Sequence, residues 1–131
     1  MKKILMIATG GTIASAEGGD GLTPAMTGEE LAASVPGIKD KCDLTVLQLM
    51  NIDSTNMRPY LWGLMRDAIT EHYNDYDGFV ILHGTDTMAY TAAALSYLIQ
   101  NSAKPIVLTG SQKPMGNPYT DAKINIYQSI L

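Results

Sequence analysis

Apolar positions along the chain come in blocks. Four short runs are apolar almost throughout: residues 3–8, 44–49, 78–83 and 105–109, the third with Phe79-Val80-Ile81-Leu82 at its centre. Unbroken runs of this length indicate strands covered on both faces, because a strand with one wet face alternates. Between them the spacing turns helical. Residues 29–34 make a short helical pattern. Residues 59–73 make a longer one, with Leu61, Leu64, Met65, Ala68 and Ile69 at helical spacing and Pro59 suited to a first turn. Residues 87–100 carry Ala89, Ala92, Ala93, Leu95, Leu98 and Ile99. A last pattern starts near Asp121 and includes Ile124, Tyr127, Ile130 and Leu131.

Strands alternating with helices build βαβ units with right-handed crossovers. The expected fold is α/β: a Rossmann-like three-layer α/β/α arrangement with a mostly parallel sheet. A length of 131 residues suits a single domain, 1–131. The stretch Glu17-Gly18-Gly19-Asp20-Gly21 reads as a mobile loop. The last helical pattern reaches Ser129-Ile130-Leu131 with no cap, glycine or charged final turn, so the pattern is expected to continue in further chain.

Composition narrows the function. Hydrophobic residues at 46% against 17% charged describe a globular chain. A net charge of −4 and the lack of any Lys/Arg run argue against a nucleic-acid partner. The single cysteine, Cys42, allows no internal disulfide and no zinc spacing, and is expected to be a packed thiol. Met1-Lys2-Lys3 resembles the start of a signal peptide, but Thr9-Gly10-Gly11 interrupts the apolar stretch behind it. No segment is suited to spanning a bilayer, and a cytoplasmic address is the default expectation.

Ligands of parallel α/β sheets bind outside the carboxyl ends of the strands. Four polar clusters fall there: Thr9-Gly10-Gly11-Thr12, Asn51-Ile52-Asp53-Ser54-Thr55-Asn56, His83-Gly84-Thr85-Asp86-Thr87 and Thr109-Gly110-Ser111-Gln112. All four are expected to converge on one crevice. Gly10 and Gly11 allow close approach of backbone to a ligand, and a hydroxyl at Thr12 can attack a carbonyl once its proton is removed. Alternatively, the glycines make a tight turn that Thr12 caps. Thr85 and Asp86 either cap the helix that follows or face the crevice, with Asp86 holding a substrate amine and Thr85 in a proton relay. Ser54 has two readings as well, turn cap or partner of a substrate carboxylate. The phosphate-cradling patterns GxGxxG and GxxxxGK[ST] are absent, as is the G-x-S-x-G elbow that a catalytic His83 would accompany. His83 is expected to be packed and His72 solvated, and the seven tyrosines to lie mostly in the core or on helix faces.

Taken together, these residues resemble the amino-terminal part of the bacterial-type L-asparaginases, along the whole chain. Thr9-Gly10-Gly11-Thr12-Ile13-Ala14 and His83-Gly84-Thr85-Asp86-Thr87-Met88 carry the likeness, supported by Asp53-Ser54-Thr55-Asn56-Met57 and Thr109-Gly110-Ser111-Gln112. The cytoplasmic type fits better than the periplasmic one. The resemblance implies that Thr12 is the nucleophile and that Thr85 and Asp86 belong to a Thr-Lys-Asp triad. It implies that Asp86 also accepts the substrate α-ammonium, and that Ser54, with Thr55 beside it, binds the α-carboxylate. Gly11 and Gly84 would line the same site. The reaction would be hydrolysis of L-asparagine to aspartate and ammonia through an acyl-enzyme, with no metal or organic cofactor. The Thr12 and Thr85 N–H and O–H groups would stabilise the tetrahedral intermediate.

The chain departs from the family pattern in two places. The family lysine belongs to a later stretch, together with a smaller carboxyl-terminal domain that completes the site of a neighbouring subunit in a homo-oligomer. Neither Lys104 nor Lys113 lies in that motif. The family's mobile loop also presents a tyrosine to the nucleophile. Here it reads Gly21-Leu22-Thr23-Pro24, so Thr23 or another residue would have to supply that hydroxyl. Two other readings stay open: an inactive fragment or small amino-acid-binding α/β module, and a nucleotide-binding domain.

Overall fold

A computed structural model describes the backbone of residues 1–18, 21–24 and 26–131, and the side chains outside 16–25. Four parallel strands form the sheet: β1 (Lys2–Gly10), β4 (Cys42–Ile52), β5 (Gly78–Leu82) and β6 (Ile106–Thr109), in spatial order β4-β1-β5-β6. Among the described residues four α-helices connect or follow them: α1 (Gly28–Ala33), α2 (Pro59–His72), α3 (Met88–Leu98) and α4 (Ala122–Ile130).

The two central strands explain the unbroken apolar runs. Along β1, Ile4, Met6 and Ala8 face one layer with Leu31 and Ala32 of α1 and Ala122 and Ile126 of α4. Leu5 and Ile7 face the other, with Met65, Ala68 and Ile69 of α2 and Leu95 of α3. Successive strand residues point to opposite faces, so a strand between two helical layers is apolar at every position. The edge strands β4 and β6 are only partly covered, contrary to the expectation that all four are buried on both faces.

Other elements refine the expectation. β4 is longer than 44–49 because Cys42 and Asp43 already pair with Lys2 and Lys3. The stretch expected to be a mobile loop belongs instead to an antiparallel pair, β2 (Ser15–Gly18) and β3 (Gly21–Pro24), with Ala16 opposite Thr23 and Gly18 opposite Gly21. Gly19 and Asp20 lie outside the described residues. In α3 the buried positions are Thr91 and Leu95, while Ala89, Ala92, Ala93 and Leu98 are exposed, as are Leu64 in α2 and Ile124 in α4. Tyr60, Tyr90, Tyr97 and Tyr119 are exposed, and Tyr73, Tyr76 and Tyr127 pack partly against the core. His72 is half-buried rather than solvated, its Nδ1 lying 2.8 Å from the Ala68 carbonyl. Cys42 is a buried thiol, and burial pushes its pKa up. Among the described residues no helix is long and apolar enough to cross a membrane.

Candidate active site

The chain leaves β1 for α1 on one face of the sheet and leaves β5 for α3 on the other. Adjacent strands whose connections diverge in this way open a crevice at their carboxyl ends. A cavity of about 200 Å³ lies there. Gly11, Thr12 and Ser15 come from the segment after β1, Ile52, Asp53 and Ser54 from the end of β4, and Gly84, Thr85 and Asp86 from the segment after β5.

Close backbone contact builds the floor. Gly10 and Gly11 have φ of 106° and 89°, a region that disfavours side chains, which accounts for two glycines in succession. The Gly11 N–H donates to the Ile52 carbonyl at 3.1 Å. A β-carbon on Gly11 would collide with the Gly84 backbone, and one on Gly84 would lie 2.6 Å from the Ser54 β-carbon. The three loops therefore touch through positions with no side chain to spare.

Thr12 opens a single 3₁₀ turn, Thr12–Ala14, whose cap position is Gly11 and which has no side-chain cap bond. Thr12 thus does not cap the turn. It is half-buried on the cavity wall, and its hydroxyl has no hydrogen-bond partner among the described residues. The Gly11 carbonyl is occupied instead by Ala14 N–H and the Ser15 hydroxyl, at 3.1 and 2.9 Å.

Ser54 does not cap its turn either. The Asp53 carboxylate accepts the Thr55 N–H at 3.0 Å and caps Ser54–Asn56, leaving Ser54 buried against the cavity. Thr55 is exposed and outside the cavity lining. The residue before α3 is Thr87, which makes no cap bond; its hydroxyl donates to the Ser54 carbonyl at 2.8 Å and ties two of the loops together. Neither Thr85 nor Asp86 caps α3. Both line the cavity, Thr85 half-buried and Asp86 exposed.

The fourth cluster does not join the others. Gly110 packs beneath the His83 carbonyl, and Asn125 Nδ2 donates to the Gly110 carbonyl at 2.9 Å. The Asp121 carboxylate accepts the N–H groups of Gln112 and Lys113 at 3.0 and 3.1 Å, and these donors hold its pKa below the usual value. The Gly110 carbonyl and the Gln112 and Lys113 N–H groups are therefore engaged by α4 and its cap residue, while the Thr109 carbonyl accepts the His83 N–H at 2.9 Å. Lys104 donates to the carbonyls of Tyr73 and Tyr76 near the end of α2, and the Lys113 ammonium lies 5.9 Å from the Tyr119 ring centroid; neither reaches the cavity lining. Leu22 and Thr23 pair through their backbones with Glu17 and Ala16, and their side chains lie outside the described residues.

Sequence reasoning missed Ser15, three residues beyond Thr12 and so on the same side of a 3₁₀ turn. It also missed a buried polar chain behind the site. His83 is fully buried, with Nδ1 2.6 Å from the Gly84 carbonyl and Nε2 2.8 Å from the Thr91 hydroxyl, which in turn accepts Trp62 Nε1–H at 2.9 Å. Burial pushes the imidazole pKa down.

A glycine-floored crevice at the ends of parallel strands, walled by two threonines, two serines and two aspartates, defines an α/β domain with a candidate site of small-molecule size. The chain belongs to the asparaginase family: the family description "Asparaginase, N-terminal" matches residues 3–131. It is 41% identical over 130 residues to an L-asparaginase of Thermococcus kodakarensis, covering 98% of this chain and 39% of that protein. It is also 43% identical over 129 residues to a Glutamyl-tRNA(Gln) amidotransferase component of the same organism, covering 96% of this chain and 29% of that protein. Its backbone superposes on L-asparaginase I of Vibrio cholerae with a TM-score of 0.88 and 39% identity, over 98% of this chain and 40% of that one. The chain thus spans about 39% of the length of an L-asparaginase it matches.

Proposed function

We propose that residues 1–131 are the nucleophile-bearing domain of a cytoplasmic, homo-oligomeric L-asparagine amidohydrolase. One observation carries this reading: Thr12, Ser54, Thr85 and Asp86, from three separate loops, line one 200 Å³ cavity. The relatives named L-asparaginase support the choice of substrate.

In this reading Ser54 holds the substrate α-carboxylate and Asp86 its α-ammonium. These contacts direct the side-chain amide toward Thr12. Thr12 Oγ1 attacks the amide carbon, and N–H donors of Thr12 and Thr85 stabilise the oxyanion. The C–N bond breaks, the amide nitrogen takes up a proton and leaves as ammonia, and the acyl group remains as an ester on Thr12. Water then hydrolyses the ester to aspartate and restores the hydroxyl. Proton removal from Thr12 falls to Thr85, Asp86 and the triad lysine that the family supplies from later sequence, so full activity requires chain beyond residue 131.

Ammonia release from L-asparagine tests the proposal, measured for this chain, for a longer chain that includes the lysine motif, and for Thr12→Ala in each. Thr12→Ala is expected to lower turnover by on the order of 10⁴-fold. Undiminished release from that variant removes Thr12 from the nucleophile role, and equal rates from the short and long chains remove the need for later sequence. The 43% identity to an amidotransferase component favours a second reading, in which the released nitrogen passes to an acceptor held by a partner protein. Free ammonia from asparagine without any partner counts against it.

A further inference from the structure

Behind the cavity a chain of buried polar groups runs Trp62–Thr91–His83–Gly84. Its donors and acceptors allow one arrangement with a neutral ring. The Gly84 carbonyl only accepts, so His83 Nδ1 carries the proton and donates at 2.6 Å. Nε2 is then an acceptor and takes the Thr91 O–H at 2.8 Å, while the Thr91 oxygen accepts Trp62 Nε1–H at 2.9 Å. Every link is satisfied. His83 and Thr91 are both fully buried, so the chain is shielded from competing water. A buried polar network whose every member is satisfied rigidifies those members in one arrangement.

What it orients is one peptide group. Among the described residues no peptide is cis, so the Gly84 carbonyl and the Thr85 N–H point in opposite directions across a planar unit. The carbonyl is turned inward to the imidazole. Among the described residues no acceptor meets the Thr85 N–H, and Gly84 and Thr85 both line the cavity. Gly84 has little room to turn, pressed between Gly11 and Ser54.

We propose that His83 is a positioning residue: by holding the Gly84 carbonyl, and being held by Thr91 and Trp62, it aims the Thr85 N–H into the cavity as an oxyanion donor. This rests on the amidohydrolase reading. His83 touches no substrate and moves no proton; the Gly84 carbonyl sets its tautomer, and Thr91 and Trp62 hold its ring plane from the packing of α2 against α3.

Two kinds of measurement test it. The first is independent of turnover: nitrogen-15 NMR of the imidazole and of the Thr85 amide. The expected result is a neutral ring protonated at Nδ1, and a Thr85 amide resonance displaced in His83→Leu and in Thr91→Val but near its original position in His83→Asn, whose amide nitrogen replaces the Nδ1 donor. The second is kinetic, in the form of the protein that releases ammonia. His83→Leu is expected to lower kcat about 100-fold, the effect of losing one oxyanion donor, with KM within about twofold, and His83→Asn to recover most of it. A role in folding alone would lower melting temperature in both variants without separating their kcat values. A ring protonated at Nε2, a Thr85 amide unmoved in His83→Leu and Thr91→Val, or equal kcat in the Leu and Asn variants overturns the proposal. Should the longer chain that includes the lysine motif release no ammonia, the amidohydrolase reading falls, while a displaced Thr85 amide still sustains the positioning of the peptide by His83.

Discussion

Gly11 rests on Gly84, backbone against backbone, with no room for a β-carbon on Gly11. The contact joins the segment carrying Thr12 to the segment carrying Thr85 and Asp86. It sets the spacing of the proposed nucleophile and its partners more firmly than any side-chain bond in the cavity, because neither backbone can rotate away.

A methyl group at either glycine tests this. Gly11→Ala combines a collision with a φ of 89°, and is expected to destabilise the protein by roughly 2–5 kcal/mol. Gly84→Ala has no unfavourable φ and meets the Ser54 side chain 2.6 Å away, so the expected loss is roughly 1–3 kcal/mol. Urea denaturation measures both. A Gly84→Ala variant as stable as the parent would show that the loops have slack.

Ser54 and Asp86 hold opposite ends of an amino acid in the proposed site. Ser54→Ala is expected to raise KM for asparagine roughly tenfold or more, with a smaller change in kcat. Asp86→Asn is expected to raise KM and lower kcat together, since it would lose an ammonium contact and a member of the relay. Steady-state kinetics separates the two patterns. An unaltered KM in both variants would place substrate elsewhere.

The buried imidazole predicts a pH dependence of stability. Burial holds the His83 pKa below its ordinary 6.5, so the unfolded chain binds a proton that the folded chain refuses. The stability gained by keeping the ring neutral is complete above that value and declines as pH falls below it. Asp121 follows the same sign from a different cause, donors to its carboxylate: its pKa lies below the ordinary 3.8, so its contribution is present at higher pH and is lost only as the medium becomes more acidic than that. The urea midpoint is therefore expected to fall from about pH 6.5 downward, ahead of any loss due to Asp121. His83→Asn should remove that first decline, and a parallel decline in the variant would assign it to another group.

Helix α1 starts with a reciprocal cap. The Thr27 hydroxyl accepts the Glu30 N–H at 3.3 Å, and the Glu30 carboxylate accepts the Thr27 N–H at 2.7 Å, which lowers the Glu30 pKa. Thr27→Ala is expected to cost about 1 kcal/mol, seen as a lower urea midpoint with activity retained.

The central strands were legible because β1 from Ile4 to Ala8 and β5 throughout run without a polar letter, a pattern that in an α/β chain marks strands covered on both faces. The convergence of the loops after β1, β4 and β5 was legible from parallel topology alone. The loop after β6 was misread because its polar letters satisfy one another and α4, a pairing that no spacing rule reveals. The hairpin of β2 and β3 was hidden because glycine signals a reversal of the chain but not whether its arms pair. The Thr27-x-x-Glu30 signature of α1 was present in the sequence and went unused. Thr91 is a single polar letter with no motif around it; only the fold shows that it is buried and faces His83.

The register between β1 and β4 has one more consequence. β1 passes from Ala8 to Gly10 while β4 passes from Gln48 to Ile52, and the Gln48 amide fills the irregularity, donating to the Met50 carbonyl at 2.7 Å and accepting the Gly28 N–H at 2.8 Å. Those additional β4 residues decide how far the chain has travelled when it reaches Ser54. Deleting any one of 49–51 would invert which way the following side chains point and swing the serine out of the crevice. A stretch that resembles ordinary strand is in effect a ruler.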